Sequence, residues 1–569
     1  MIKSEERLLE VIKKDIDSKK KTHFAKLTKI NKGANEFIFT LIEPKDKQES
    51  DEVKSETLES SPKDSKESTQ AFKPPFKPSE EVIIQERDNI NSLKQDESFK
   101  GKIESYESGA KQITIKLNNK HDAIFAESKE KELKAKKWAI SYDYQVKEIL
   151  WTKQNSALEE LKKGNTQVPN LLRKINESTE LKENKQREIE SYFNEDLDEN
   201  QQEAVRKALS LERECEILLI QGPPGTGKTT TITEIVKQCG EDKLFRIGNN
   251  EEKMSEIAKQ YTPEKVLNKI LKENREHIKH NTITDSNPMI EFRLQELQQG
   301  FLEKLETLSS KMANADTTKT KGKRDNETFR LFTKDIRLFF GTLLGISSWK
   351  SFRDVVFDVA IVDEAGRATL SELLVPCIKA KRIILVGDYK QLAPVVDDDV
   401  VEKLNVDSKK GSDEFKADKK DVTTSLFERL FERIESSRDE REYLYNFRHT
   451  LTYNYRAHKS ICDLYSKVFY GGILKTKVKI SEEKAHNLKA FKTNVVWFDT
   501  DKRSDKQDSQ QGTEKINRCD AKIIDNTLKL LKEQILVSAI KDIGIITPYK
   551  AQNDLLKNEL KSIKDEYKK

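Results

Sequence analysis

Residues 222–229 have the composition and spacing of a phosphate-binding loop. They read Gly-Pro-Pro-Gly-Thr-Gly-Lys-Thr and follow the apolar run 217–220 after a single residue, Gln221. Glycines let the backbone turn tightly enough for consecutive N–H groups to point at one anion. Lys228 is expected to reach the outer phosphates, and Thr229 to offer its hydroxyl to Mg²⁺. The sequence therefore predicts a nucleoside triphosphate site, with these candidate binding residues: Gly222, Pro223, Pro224, Gly225, Thr226, Gly227, Lys228, Thr229 and Thr230.

Two carboxylates follow a second apolar run at residues 359–362. Asp363 and Glu364 would lie at the carboxyl edge of a parallel sheet, where such folds bind ligands. Asp363 is a candidate ligand for Mg²⁺, and Glu364 is a candidate for orienting or deprotonating an attacking water. An exposed acidic pair at a strand end is the alternative interpretation.

Polar residues also follow a third apolar run, 383–386, in the segment Gly-Asp-Tyr-Lys-Gln-Leu-Ala-Pro. Gln391 of this segment is placed to donate to a terminal phosphate and to relay its loss. Further along the chain, Tyr455 and Arg456 pair an aromatic ring with a guanidinium. Arg456 is a candidate for neutralising charge on a transferred phosphoryl group, and Tyr455 for stacking on a base.

The positions of these groups predict the elements that hold them. Three short apolar runs, each ending in chemistry-bearing residues, indicate strands of a buried parallel sheet, and residues 231–236 are typical of the helix that follows a phosphate loop. We therefore predict an α/β fold of the P-loop NTPase class. A phosphate loop alone does not select a reaction, because kinases, GTPases and motors share it.

The ordered set of segments resembles the superfamily 1 DNA/RNA helicases, in particular the branch typified by the nonsense-mediated-decay helicase. Residues 197–205 are similar to the family segment in which a glutamine, here Gln201, reads the adenine edge. Residues 543–549 are similar to a strand and turn of the second motor domain. The resemblance implies two RecA-like parallel-sheet motor domains and ATP and Mg²⁺ as cofactors. It also implies Lys228, Glu364, Gln391 and Arg456 as catalytic residues, and ATP hydrolysis that drives movement along DNA or RNA, or unwinding of it.

Two departures from the family pattern qualify this expectation. No recognisable strand and strand-gripping segment follow the phosphate-loop helix after Gly240, and the family's last motifs do not fit behind Pro548. Gln511 to Glu514 imitates one of those motifs but precedes residues 543–549. We therefore expect an incomplete second motor domain, with a separate chain as a possible source of the missing part. A truncated helicase that binds ATP and nucleic acid without efficient motor activity is the main alternative. A P-loop kinase or GTPase explains neither Gln391 nor Arg456.

The rest of the chain predicts an accessory region and domain boundaries. Residues 37–42 and 112–117 have strand character, which favours a small β-barrel, whereas residues 44–79 are rich in charged residues, serine and proline and predict disorder. The interpretation comprises a barrel domain at 1–145, a helical stalk at 146–196, a first motor domain at 197–407 and a partial second one at 408–569. An apolar stripe from Ile290 to Leu308 predicts a helical insertion within about 262–330, mostly buried as core.

Composition excludes few classes of protein. Lys plus Arg number 104 against 99 Asp plus Glu, a net charge of +5, so nucleic-acid binding must depend on local patches. No apolar stretch approaches the roughly 18 residues of a membrane span, and the amino terminus lacks a secretion signal, so we expect a cytoplasmic protein. The scattered cysteines argue against structural zinc and disulfides, and His277 and His280 are expected on an exposed helix.

Overall fold

The structure is a computed structural model. It describes residues 2–18, 22–31, 35–42, 80–86, 98–107, 111–176, 188–212, 216–240, 244–246, 260–262, 265–266, 269, 272–273, 275–276, 287–313, 337–346, 355–397, 400–404, 422–436, 448–477, 479, 488–511, 514–532 and 543–560. The expectations for residues 44–79 and for His277 and His280 lie outside these ranges.

The strands before residue 145 form a closed antiparallel barrel. They are β1 (Thr22–Asn31), β2 (Glu36–Leu41), β3 (Glu81–Glu86), β4 (Ser98–Glu107), β5 (Gln112–Leu117) and β6 (Lys137–Tyr142). Their order around the barrel is β1-β2-β5-β4-β3-β6, and β6 pairs with β1 to close it. Alternate residues of β5 (Ile113, Ile115 and Leu117) are buried in the barrel core, as the alternating sequence predicts. The predicted barrel is confirmed.

The helices of the amino-terminal half are α1 (Ile2–Ser18), α2 (Lys120–Ser128), α3 (Glu130–Ala135), α4 (Gln145–Lys163) and α5 (Leu171–Asn176). Helix α4 matches the helical period that starts near residue 146. Helix α1 falls within the range expected for the barrel domain, yet it packs on α4, where the Trp151 indole N–H donates to the Leu9 carbonyl at 2.8 Å. Leu9 belongs to the same core cluster as Leu158 and Leu161, not to the barrel core.

The strands from residue 217 to residue 450 are β7 (Ile217–Gln221), β8 (Leu244–Arg246), β9 (Leu338–Phe340), β10 (Ala360–Val362), β11 (Ile383–Gly387) and β12 (Arg448–Thr450). Four of them form a parallel sheet in the order β10-β11-β7-β12. Every residue of β7 and β11 is buried, because helices cover both faces of such a sheet, and this burial accounts for the unbroken apolar runs. The three predicted strands of the P-loop fold are confirmed.

The helices of this region are α6 (Glu199–Leu209), α7 (Lys228–Gln238), α8 (Pro288–Ala313), α9 (Leu343–Ile346), α10 (Leu370–Cys377) and α11 (Leu426–Ser436), with a 3₁₀ turn at Ala365–Arg367. Helix α11 contributes Leu426 and Phe427 to the core cluster that holds β7 and β11. Strand β12 pairs with β7. The sheet and its core therefore continue to Leu451, beyond the boundary expected at residue 407.

A strand does follow the phosphate-loop helix. Strand β8 pairs in parallel with β9 as a separate two-stranded sheet, although the sequence around β8 has no recognisable family segment. The helix predicted in the insertion is present as α8, but the described part of its apolar stripe is not core. Ile290 is 48% exposed and Leu297 is 61% exposed. Periodicity predicts the helix, whereas burial depends on a neighbouring element that periodicity does not reveal.

The elements after residue 451 are small. They are β13 (Tyr453–Asn454), α12 (Lys459–Phe469), β14 (Lys475–Thr476), β15 (Ser509–Gln511), β16 (Glu514–Ile516), α13 (Arg518–Lys532) and α14 (Lys550–Glu559). Strands β13 and β14 pair in parallel, and β15 and β16 form an antiparallel pair. The strand predicted at residues 543–549 is wrong, because this segment pairs with no other strand among the described residues and Ile546 is 97% exposed. An apolar run becomes a strand only when a partner strand accepts its backbone groups.

None of the helices in the described part of the chain combines the length and the apolarity that crossing a membrane requires.

Candidate nucleotide-binding site

The phosphate loop connects the carboxyl end of β7 to the amino end of α7. Gly225 and Gly227 have φ angles of 76° and 80°, in the left-handed region that favours glycine. A Cβ on Gly225 would lie 2.6 Å from Cβ of Arg456, and a Cβ on Gly227 would lie 2.3 Å from Nε2 of Gln201. These glycines are therefore required by the turn and also by the close packing of two other predicted site segments on the loop.

Lys228 begins α7 and folds back over the loop. Its Nζ donates to the Gly222 carbonyl at 2.7 Å and lies 4.0 Å from Oε1 of Glu364. Thr229 and Thr230, at the exposed first turn of the helix, follow it. The buried hydroxyl of Thr226, another candidate binding residue, donates to the Pro223 carbonyl at 2.8 Å and so braces the loop itself. A positive ammonium and a helix amino terminus thus lie together at the loop, an arrangement that attracts anions.

The two predicted carboxylates lie at the end of β10, on the same sheet edge as the phosphate loop. Both Asp363 and Glu364 are exposed to solvent. Glu364 has φ 55° and ψ 33°, a left-handed conformation that is costly for a residue with a side chain. Its backbone N–H donates to Oδ1 of Asp363 at 2.8 Å. The strained backbone places the Glu364 carboxylate near the Lys228 ammonium.

Close backbone packing joins this segment to the end of β11. A Cβ on Gly387 would lie 2.8 Å from the Gly366 nitrogen, and a Cβ on Gly366 would lie 2.9 Å from the Asp388 carbonyl oxygen. Gln391, the predicted relay, does not point freely into the site. Its Nε2 donates to Oδ2 of the buried Asp388 at 2.7 Å. Asp388 is therefore a site residue that the sequence argument quoted without a role.

Residues 451–457 attach to the phosphate loop through Asn454, whose side chain is fully buried. Its Nδ2 donates to the Pro224 carbonyl at 2.6 Å, and its Oδ1 accepts from the backbone N–H groups of Arg456 and Ala457 at 3.0 and 2.8 Å. The Tyr455 N–H donates to the Gly225 carbonyl at 2.8 Å. Asn454 thus holds Arg456 beside the loop, with the Arg456 side chain exposed. Sequence reasoning missed Asn454 because nothing in its spacing signals this contact.

Gln201 and Tyr455 meet at Asp198, the residue that caps α6. The Asp198 side chain accepts from the Gln201 N–H, and Oε1 of Gln201 accepts from the Asp198 N–H at 3.1 Å, which together form a capping box. Nε2 of Gln201 donates to the Thr226 carbonyl at 3.4 Å, so the amide expected to read adenine supports the phosphate loop in this structure. The Asp-x-x-Gln spacing of residues 198–201 is the signal that predicts such a capping box.

The hydroxyl of Tyr455 donates to Oδ2 of Asp198. Burial, together with this hydrogen bond to a carboxylate, raises the pKa of Tyr455 above its ordinary value. The Lys477 ammonium lies 5.4 Å from the centre of the Tyr455 ring. The ring expected to stack on a base is therefore held at its hydroxyl by Asp198 and has the Lys477 ammonium over one face.

The structure brings almost all of the predicted site residues together. The phosphate loop, Gln201, Glu364, Tyr455 and Arg456 are linked by the contacts above, and Gln391 is linked to β7 through Asp388 and Gln221. A glycine-rich loop between a parallel strand and a helix, with an acidic pair on the same edge of the sheet, defines a P-loop NTPase.

Comparison with known proteins identifies the family within this class of proteins. Two family models, each described as an AAA domain, match this chain. One matches residues 196–243 and 237–399, and the other matches residues 422–568. The chain is 27% identical to DNA polymerase alpha-associated DNA helicase A of Schizosaccharomyces pombe over 415 residues, covering 65% of this chain and 55% of that helicase. It is 27% identical over 376 residues to regulator of nonsense transcripts 1 of Dictyostelium discoideum, covering 63% of this chain and 25% of that protein.

A third relative, the probable helicase senataxin of Homo sapiens, is 24% identical over 449 residues, covering 64% of this chain and 16% of that protein. The chain therefore belongs to the superfamily 1 DNA/RNA helicases, in the branch of the nonsense-mediated-decay helicase. It spans about half the length, or less, of the curated relatives that it matches.

Proposed function

We propose that this chain is an ATP-dependent helicase or translocase that acts on DNA or RNA. The observation that carries the proposal is the attachment of residues 454–456 to the phosphate loop through the contacts of Asn454 with Pro224 and of Tyr455 with Gly225. These residues lie in the second AAA match and the loop lies in the first. A nucleotide in the loop would therefore contact both, which is what a motor driven by ATP requires.

The triphosphate fits the loop because the nearest hydrogen-bond partner of the Lys228 ammonium is uncharged, whereas the Glu364 carboxylate lies farther away, at 4.0 Å. Lys228 is held by the Gly222 carbonyl, a neutral acceptor that phosphate oxygens would replace. The amino end of α7 adds backbone N–H groups without intrahelical partners. Gln201 and Tyr455 would border the base, with the Tyr455 ring as a stacking surface.

Thr229 and Asp363 would hold Mg²⁺. Both present oxygen atoms, the ligands that this ion prefers, and both are exposed at the sheet edge beside the loop. When bound, Mg²⁺ would supply positive charge to the phosphate oxygens.

Hydrolysis would depend on Glu364, Arg456 and Lys228. Glu364 would orient and deprotonate the attacking water, and its strained backbone fixes the carboxylate within 4.0 Å of the Lys228 ammonium. Arg456 would neutralise charge on the transferred phosphoryl group, since its backbone is fixed to the loop through Asn454. Gln391 would report the presence of the terminal phosphate.

The decisive experiment measures ATP hydrolysis by the full chain with and without single-stranded DNA and RNA. A motor hydrolyses ATP faster when single-stranded nucleic acid is bound, since the bound nucleic acid favours the catalytic arrangement of the site. A preference for GTP, or transfer of phosphate to a small acceptor, would instead show a different class of P-loop enzyme.

A second candidate function is binding of ATP and nucleic acid without efficient turnover. The observation that favours it is the region after residue 451, in which the described strands form only two-stranded sheets and the apolar segment 543–549 is largely exposed. Two results together would support this alternative over a motor. Fluorescence anisotropy would detect binding of single-stranded nucleic acid, and the ATPase rate would be the same with and without that nucleic acid.

A further inference from the structure

The buried carboxylate of Asp388 joins three parts of the molecule. Its Oδ1 accepts from Nε2 of Gln221, at the end of β7, at 2.6 Å. Its Oδ2 accepts from Nε2 of Gln391 at 2.7 Å and from the Tyr470 hydroxyl at 2.7 Å. Only 2% of Asp388 is exposed, so these donors, and not water, stabilise its charge.

Tyr470 enters this cluster from the region after residue 451. It follows the last residue of α12, and its N–H caps the helix by donating to the Ser466 carbonyl at 2.9 Å. The same helix also reaches the phosphate loop. Tyr465, whose ring meets that of Tyr470 edge-on at 6.2 Å, places its hydroxyl 2.5 Å from Nδ2 of Asn454. The Tyr465 hydroxyl also donates to the Pro224 carbonyl at 3.5 Å, so helix α12 contacts both the loop and the Gln391 segment.

We infer that Tyr470 is a positioning residue for Gln391 and couples the terminal-phosphate sensor to helix α12. The inference rests on the proposed function, in which Gln391 senses that phosphate. Because Tyr470 and Gln391 donate to the same oxygen atom, the position of each depends on the other. When Gln391 turns toward a phosphate, Tyr470 remains as a donor to Oδ2 of Asp388. Without the Tyr470 hydroxyl, Gln391 must itself satisfy that buried oxygen and is held away from the nucleotide.

The variant that tests this inference is Tyr470→Phe, which removes the hydroxyl and keeps the ring that packs on Tyr465. We expect kcat for ATP to fall about tenfold, with KM for ATP changed less than about twofold. In a Gln391→Ala background the same substitution should have no further effect, because the group that it positions is gone.

The matched control is Tyr106→Phe in the barrel. The Tyr106 hydroxyl is buried and has no hydrogen-bond partner among the described residues, so its removal should leave kcat unchanged. Thermal unfolding of both variants shows whether the fold is intact.

A binding measurement separates failure of the inference from failure of the proposed function. The ratio of Kd for ADP to Kd for a non-hydrolysable ATP analogue reports sensing of the terminal phosphate and needs no turnover. We expect Tyr470→Phe to reduce this ratio about tenfold. A ratio that is unchanged in Tyr470→Phe, or equal effects of this substitution with and without Gln391, overturns the inference even if the wild-type chain hydrolyses ATP. If the wild-type chain hydrolyses no ATP but Tyr470→Phe still reduces the ratio as expected, the motor function is refuted and the inference about Tyr470 stands.

Discussion

The core around β7 and β11 and the region after residue 451 contain similar apolar sequences but differ in how these are packed. Residues 383–386 are fully buried between two parallel neighbours, whereas residues 543–546 are exposed and unpaired in the described structure. Val495, Val496 and Trp497 are also exposed, the last at 90%. The difference shows that the candidate nucleotide site is built on a four-stranded sheet with a buried core, while the region that supplies Arg456 and Tyr470 depends on contacts with that sheet for its position.

The largest expected effect is a loss of ATP turnover, caused by a substitution at the phosphate loop of the buried sheet. Lys228→Ala removes the ammonium proposed to bind the phosphates, so we expect ATP hydrolysis to fall by about a thousandfold or more. The measurement is steady-state phosphate release at saturating ATP.

The matched control for this change is Lys237→Ala in the last turn of the same helix, which should retain activity within about twofold. If the Lys228 variant hydrolysed ATP at the wild-type rate, the site assignment would be wrong.

The next effect is on stability within the buried sheet. Leu385 is 1% exposed and belongs to the core cluster on β7 and β11, so Leu385→Ala leaves a cavity in that core and the free energy of unfolding should fall by about 2–5 kcal/mol. Urea titration followed by circular dichroism measures it. A loss of under about 0.5 kcal/mol would show that this sheet is packed no better than the region after residue 451.

The stability of the buried sheet is expected to depend on pH through His449 of β12. Burial, and then the neighbouring Lys207 ammonium, lower the pKa of His449 from 6.5 to about 4. Below pH 6.5 the unfolded chain therefore binds a proton that the folded chain does not, so stability contributed by neutral His449 is lost as the pH falls from 6.5 toward 4. Between about pH 7 and pH 5 we expect a loss of about 2 kcal/mol from this residue.

Substitution of His449 by glutamine tests the assignment. His449→Gln should remove this part of the pH dependence of the urea midpoint, and a pH dependence identical to that of the wild type would contradict the lowered pKa.

The smallest expected effect completes the comparison. Ile546→Ala deletes an apolar side chain that is 97% exposed, so the free energy of unfolding should change by less than about 0.5 kcal/mol. The same urea titration as for Leu385→Ala provides a direct contrast. A loss of several kcal/mol would mean that Ile546 is covered in solution and that the two regions do not differ as described.

Sequence patterns predicted the parts of the fold that depend on local order. Unbroken apolar runs predicted β7 and β11, alternation predicted β5, and the glycine-rich segment predicted the loop and α7. Burial of Ile290 and a strand at residues 543–549 were wrong because both depend on which distant element covers or pairs with the segment.

The same limit applies to the site. The residue types that bind phosphate were evident from spacing, but their hydrogen-bond partners were not. Asn454 contacts Pro224 and Tyr470 contacts Asp388 across long stretches of chain, and no local pattern encodes such pairs. The capping box at Asp198 was readable in principle, because its two side chains are three residues apart.

Helix α1 has a practical consequence for fragment design. The Glu5 carboxylate accepts from the Ser371 N–H at 3.0 Å, in the first turn of α10, which follows the acidic pair Asp363 and Glu364. Leu8 and Val11 of the same helix pack with Val400 and Leu404. An expression fragment that starts at residue 197 would expose these surfaces and leave α10 without this contact. A minimal fragment that keeps the candidate nucleotide site folded should therefore retain residues 2–18, whether covalently attached or added as a peptide.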